Sequence, residues 1–294
     1  MELINGEYTI LLNGINHWMK IDGSQNKTIP LIIIHRGPGG NHYTFERTVG
    51  PLLAKKRTIV YYEQRGCGRS DKPQCDDDYT MESLIRDFIE LKKSLGVDRV
   101  DLLGYSFGGE LALEFSVAFP EIINNIILSG PSLMDSEIQK MVQITGFMSV
   151  ANKDLYNKIL LLQKESTSIA DVYEKLWELV DTETVDLLLF ENQEIAKINR
   201  SLWEESNLIN TGLMMNVLEN TPCKFPLQYR LKDLKQPTLI ITGVFDRNTG
   251  VNISKIIHRE LTNSTLELFD NSAHFPDLEE TEKFINVVLE FLKS

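Results

Sequence analysis

Apolar residues fall along this chain in two rhythms. Residues 7–12 (EYTILL) and 15–21 (INHWMKI) flank Asn13-Gly14, a pair that tolerates positive φ, which predicts an antiparallel hairpin. Leu31–Ile34 is continuously apolar and mostly β-branched, as in a strand buried on both faces, and it runs into a Gly/Pro-rich loop. TIVYYEQRGCGRS repeats the pattern of buried run and glycine turn. The period changes over 80–95, where Leu84, Ile85, Phe88, Leu91 and Leu95 share one helical face. Thr80 is the expected N-cap of that helix and Gly96 its stop. A strand at 99–104, a helix at 107–119 and a strand at 123–129 follow. This alternation predicts an α/β fold: a mostly parallel sheet with helices on both faces.

From about 132 to 230 the strand signal fades. Leucine, lysine, glutamate and methionine dominate, as in ITGFMSVANKDLYNKILLLQKE, and the segment is expected to be helical. The earlier alternation then resumes. PTLIITGVFD reads as strand then loop, VNISKIIHREL as helix, STLELFDNSAHF as strand then loop, and TEKFINVVLEFLKS as a final amphipathic helix. The division expected is a core built from residues 1–131 and 231–294, with 132–230 protruding from it as a helical lid.

Composition narrows the function classes. The 294 residues carry 30 Lys plus Arg against 42 Asp plus Glu, a formal net charge of −12, which argues against nucleic-acid and anionic membrane partners. No run approaches the roughly 18 apolar residues of a membrane helix. The N-terminal stretch lacks the basic-then-apolar pattern of a secretory leader, so a cytoplasmic location is expected. Cys67, Cys75 and Cys223 form no C-x-x-C pair and are odd in number, so reduced thiols are expected, with no metal site and no cofactor.

The chemistry centres on Gly104-Tyr105-Ser106-Phe107-Gly108-Gly109, a G-x-S-x-G between an expected strand and an expected helix. The turn is tight enough to need its glycines, and it would hold the Ser106 hydroxyl at a helix N-terminus. An incidental serine in a glycine-rich turn is the plainer alternative. A serine needs a base. Of five histidines, His17 lies in the hairpin and His258 on a charged helix face, while His35 and His42 flank the glycine loop. His274 follows the last expected strand in a loop that could reach Ser106. Asp246, directly after a buried strand, is the preferred orienting acid. It lies at the sheet's carboxyl end, where open α/β folds bind ligands, whereas Asp270 and Asp277 are nearby competitors. The loop His35-Arg36-Gly37-Pro38-Gly39-Gly40 could aim backbone N–H groups at an oxyanion, so the N–H groups of Gly37 and Phe107 are the expected oxyanion hole. His35 is expected to buttress that loop. The charges of Glu63-Gln64-Arg65-Gly66-Cys67-Gly68-Arg69-Ser70 are expected to form structural ion pairs.

The chain order Ser106, Asp246, His274 is that of the α/β-hydrolases. Together with HRGPGG at 35–40, EQRGCGRS at 63–70 and GYSFGG at 104–109, it makes this sequence resemble the proline iminopeptidase (prolyl aminopeptidase) family of that superfamily. The first motif is similar to that family's H-G-G-P-G-G and the second to its D-Q-R-G-x-G-x-S. The resemblance covers the core on both sides of the helical segment. It implies an α/β-hydrolase fold with an inserted lid. It also implies release of an N-terminal residue, proline or another small apolar one, from a short peptide through an acyl-enzyme. Ser106 would be the nucleophile, His274 the base and then the acid, and Asp246 the group that fixes the imidazole. It further implies lid acids that hold the substrate amine. Glu204, Glu205 and Glu219 match by region rather than motif and could equally be solvated helix-face residues.

Three positions depart from the family pattern. Arg36 replaces the second-position glycine, and it could bind a substrate carboxylate or point outward. Phe107 stands where tryptophan is frequent, and Glu63 replaces aspartate. The competing expectation is an esterase or lactonase-type hydrolase using the same three residues on a small-molecule ester. A non-catalytic binding protein is disfavoured by the intact set, and dehalogenase or epoxide hydrolase chemistry would want a carboxylate at position 106.

Overall fold

A computed structural model of the chain describes residues 3–134, 136–206 and 212–293. Asp135 and residues 207–211, which fall in the expected lid, lie outside the described residues.

Eight strands form one sheet: β1 (Gly6–Leu12), β2 (Ile15–Asp22), β3 (Leu31–Ile34), β4 (Ile59–Tyr62), β5 (Val100–Tyr105), β6 (Ile123–Ser129), β7 (Thr238–Gly243) and β8 (Ser264–Phe269). Their spatial order is β1-β2-β4-β3-β5-β6-β7-β8. The Asn13-Gly14 hairpin pairs β1 with β2 antiparallel, with Leu12 opposite Ile15, and β2 pairs antiparallel with β4. All later pairings are parallel.

Period-2 alternation sorts the strand residues onto two faces. Ile32, Ile34, Val60, Tyr62, Leu102, Leu128 and Ile240 join one apolar cluster, with Phe88 and Leu91 of the helix Met81–Leu95, Leu111 and Phe115 of the helix Phe107–Ala118, and Ile253 and Ile257 of the helix Gly250–Glu260. Their neighbours Leu31, Ile33, Ile59, Tyr61, Leu103, Ile127, Leu239 and Ile241 join the other, with Phe284 and Val288 of the helix Thr281–Phe291. Both faces are covered, which is why these strands read as unbroken apolar runs. Thr80 caps the helix Met81–Leu95 by accepting from the Ser83 N–H, and Gly96 ends it with φ 65°.

The chain between β6 and β7 forms helices Glu137–Val150, Lys153–Glu165, Ile169–Leu179, Thr182–Leu189, Gln193–Ser206 and Gly212–Asn220. Side chains of Ser136, Asn152, Ser168 and Asp181 cap the first four by accepting first-turn N–H groups. Packing divides this segment. Ile144, Phe147, Leu155, Ile159, Val172, Leu176 and Leu188 form a cluster of their own. Met214, Leu218, Leu227 and Leu231 instead join the cluster on the sheet.

Among the described residues no helix is long and apolar enough to cross a membrane.

Candidate active site

Strand β5 delivers Ser106 to the carboxyl edge of the sheet. Ser106 sits at φ 57°, ψ −124° between β5 and the following helix, a backbone conformation that costs a non-glycine residue roughly 1–3 kcal/mol. The flanking glycines permit it by close approach. A Cβ on Gly104 would overlap the Gly108 carbonyl, and one on Gly108 would overlap the Ile34 carbonyl of β3. The Ser106 N–H donates to the Ser129 carbonyl at 2.9 Å, tying the turn to β6.

His274 meets Ser106 as the chain order predicts. Its Nε2 lies 3.0 Å from Ser106 Oγ, and its Nδ1 lies 3.1 Å from Asp246 Oδ2. Asp246 Oδ1 accepts the N–H groups of Asn248 (2.9 Å) and Thr249 (3.0 Å), and Oδ2 accepts the Thr249 hydroxyl (2.8 Å). Burial works to raise the Asp246 pKa, but the adjacent His274 and these donors outweigh it and hold the carboxyl below its ordinary value. An ionised Asp246 can only accept, so Nδ1 carries the proton and Nε2 is left to accept from the Ser106 hydroxyl. This geometry allows the hydroxyl proton to pass to His274 as Oγ attacks a carbonyl. Asp277 does not replace Asp246 as partner of His274. It is buried, and that burial pushes its pKa up to about 6.

The N–H of Phe107 opens the helix Phe107–Ala118, where first-turn N–H groups lack a helical acceptor. Gly37 and Phe107 both line the cavity that holds Ser106 and His274. His35 is buried behind the Gly37 loop. The Gln64 N–H donates to its Nε2 at 3.1 Å, so Nδ1 carries the proton and donates to the Arg36 carbonyl at 2.8 Å. The imidazole thus ties the glycine loop after β3 to the turn after β4. In that turn Arg69 pairs with Glu63 (2.7 Å) and Glu46 (2.9 Å), and Arg65 pairs with Asp87 (2.7 Å), so the charges are structural as expected. His17 is buried 3.3 Å from the same Asp87, and His258 bonds the Ser264 hydroxyl at 2.8 Å.

The cavity holds about 380 Å³ and is roofed by the helices between β6 and β7. Glu219 lines it. Glu204 and Glu205 do not, which corrects their placement as residues facing the substrate. They sit on the exposed side of the helix Gln193–Ser206, where Glu205 reaches the Tyr43 hydroxyl at 3.5 Å. That helix turns Asn199, Arg200 and Trp203 to the cavity instead. Arg36 points inward and lines the cavity too.

Several site residues carried no motif. Asn248 Nδ2 lies 3.0 Å from His274 Nε2, beside the Ser106 contact. Its position two residues past Asp246, where a backbone N–H can cap the carboxylate, was the available signal. Asp186 pairs with Arg200 within the cavity wall. Glu279 accepts the N–H groups of Glu191 (2.8 Å), Asn192 (2.7 Å) and Ala273 (2.7 Å), and the His274 N–H donates to the Leu189 carbonyl at 3.0 Å. The loop carrying His274 is therefore bonded to the helical segment.

The family model of the alpha/beta hydrolase fold matches residues 29–281. This chain belongs to the α/β-hydrolase family. The motif resemblance to proline iminopeptidases is borne out by whole-chain similarity. A proline iminopeptidase of Saccharolobus solfataricus is 28% identical over 298 residues, covering 95% of this chain and 89% of the relative. Among solved structures, a proline iminopeptidase-related protein from Thermus thermophilus superposes with a TM-score of 0.82 at 19% identity, covering 99% of this chain and 98% of that one. An esterase from Exiguobacterium antarcticum superposes at 0.71 with 20% identity, covering 99% and 100%. At such identities the two structures speak to the fold alone, and they share this α/β-hydrolase architecture.

Proposed function

We propose that this protein is a serine hydrolase that releases the N-terminal residue, proline or another small apolar one, from short peptides. The observation that carries the serine mechanism is the continuous contact of Ser106 Oγ with His274 Nε2 and of His274 Nδ1 with Asp246. Oγ attacks the first peptide carbonyl and its proton moves to Nε2. Asp246 holds the imidazole orientation and stabilises the cation. Charge developing on the carbonyl oxygen is met by the N–H groups of Gly37 and Phe107. His274 then protonates the leaving amine, the C–N bond breaks and an acyl-enzyme remains. Water, deprotonated by His274, releases the acid and restores Ser106.

The peptidase half of the reading rests on the proline iminopeptidase relatives and on Glu219. Glu219, on the cavity wall, is the carboxylate that would hold a substrate ammonium. We take residues 132–230 as the lid that sets specificity. The reduced cysteines and acidic charge suit a cytoplasmic enzyme acting on free peptides, with no nucleic-acid or membrane partner.

The test is release of arylamine from prolyl and alanyl arylamides. Ser106→Ala should reduce it on the order of a thousandfold or more. Turnover of simple esters without any arylamide cleavage would replace this reading with an esterase or lactonase-type one.

A further inference from the structure

We propose that Arg36 binds a carboxylate of the substrate. Resting on the aminopeptidase reading, this makes unblocked dipeptides the preferred substrates, their C-terminal carboxylate paired with the Arg36 guanidinium.

Arg36 immediately precedes Gly37, and its side chain lines the same cavity as Ser106 and His274. The guanidinium is held in place. One Nη2–H donates to Asn199 Oδ1 at 3.2 Å, and the group lies 4.5 Å from the ring centroid of Phe275, the neighbour of His274, and 5.7 Å from that of Trp203. A planar fork already fixed by a neutral amide and two rings loses little further freedom on meeting a carboxylate, which it can bind bidentately.

Its charge is also uncompensated at contact range. Among the described residues no carboxylate lies within 4.0 Å of it, whereas Arg200, in the same cavity, pairs with Asp186. Burial works to lower its pKa, Arg200 acts with it, and Tyr105 and then Asp277 act against it, Asp277 from beyond ion-pair distance. A desolvated guanidinium with most of its donors unused favours an anion in the cavity.

Substrate geometry selects the dipeptide. Only the amide nitrogen and one Cα separate its scissile carbonyl carbon from the terminal carboxylate carbon. In a longer peptide the carboxylate recedes by about 3.3–3.6 Å per residue. A cation one residue from the proposed oxyanion hole matches the nearer position. Glu219, in the same cavity, supplies the opposite charge for the ammonium, so the cavity suits a short zwitterion. The family motif that this loop resembles has glycine at position 36, so the cation is this chain's own. Lys140 is the rival carboxylate holder, with its Nζ 5.6 Å from the Tyr173 ring centroid in the cavity wall.

The experiment compares kcat/KM for prolylglycine and prolylglycinamide in the wild type, Arg36→Gly, Arg36→Lys and Lys140→Met. A charged hydrogen-bonded pair implies a preference for the free acid of about tenfold to a hundredfold. That preference should fall to about unity in Arg36→Gly, survive in part in Arg36→Lys and persist in Lys140→Met. Equal cleavage of acid and amide by the wild type overturns the inference while leaving the aminopeptidase reading intact. Loss of the preference in Lys140→Met but not in Arg36→Gly overturns it as well. If no peptide or arylamide is cleaved, the aminopeptidase reading fails, and a second pair decides the inference alone. That pair is acetoxyacetate, whose carboxylate lies on the leaving side with one oxygen and one carbon between it and the scissile carbonyl carbon, and its neutral amide, acetoxyacetamide. A preference for the free acid that Arg36→Gly abolishes supports carboxylate binding, and no preference overturns it.

Discussion

The buried His35 should make folding stability fall on acidification, by an amount that follows from its bonding. Burial lowers its pKa from 6.5 to about 4 in the native state. The native imidazole is neutral because Nε2 must accept from the Gln64 N–H, and a second proton would remove that acceptor. Between pH 6.5 and 4 the unfolded chain therefore binds the proton and the native chain does not. Stability rises with pH in that window and is lost as pH falls through it. The gap of about 2.5 units corresponds to about 3 kcal/mol, a large share of a typical 5–15 kcal/mol. His42, whose ring centroid lies 5.2 Å from that of His35, is also lowered by burial and acts in the same direction. Asp277 opposes both. Burial raises its pKa from 3.8 to about 6, so the native state gains its proton first and is favoured on acidification by about 3 kcal/mol. The wild-type curve alone would mix these effects, so the informative quantity is a difference. His35→Gln keeps an acceptor for Gln64 but cannot titrate. Urea unfolding of both proteins from pH 7.5 to 5 should show the wild type losing about 2 kcal/mol more than the variant. Parallel curves would refute the neutral, buried His35 and the loop-tying role built on it.

Three further outcomes follow from contacts at the site. Gly108→Ala should destabilise the fold by about 3 kcal/mol or more, seen as a lowered urea midpoint, because its Cβ meets the Ile34 backbone and no side chain can yield. Asp246→Asn should lower kcat by about 10⁴ with little change in KM, since an amide can stabilise the wrong imidazole tautomer, and a loss under tenfold in steady-state assays would remove Asp246 from the mechanism. Glu279→Ala strips the acceptor from three backbone N–H groups, of which the exposed Glu191 and Asn192 can turn to water and the buried Ala273 cannot, at a cost of roughly 1–3 kcal/mol, and should lower the urea midpoint and kcat together, because the His274 loop loses its anchor to the helical segment.

The parts of the molecule legible in the sequence were those set by near neighbours. Asn13-Gly14 fixes a hairpin because the turn is local, and Gly104 to Gly109 fixes the Ser106 turn because the clashes it avoids lie on the next helical turn and the adjoining strand. Asp246 and His274 were found because each follows a strand, the buried β7 for Asp246 and the edge strand β8 for His274, and parallel neighbours must end at the same edge of the sheet. The cavity roof was harder, because its direction depends on what the helix Gln193–Ser206 packs against. Glu204 and Glu205 stand out as charges, yet Ala196, Asn199, Arg200 and Trp203 recur at i, i+3, i+4 and i+7 and form the inward face. The decisive signal was a polar residue, Asn199, within that stripe. An asparagine buried at 7% exposure on such a face needs a partner, and the partner is the guanidinium of Arg36. The two residues lie 163 positions apart. One is a cation in a glycine loop and the other a buried amide on an inward helix face, and only the fold shows that each meets the other. The inward turn of Arg36, which the sequence left open, thus meets an amide on a helix face that the packing of Ala196 against Phe190 and Phe275 already turns toward the cavity.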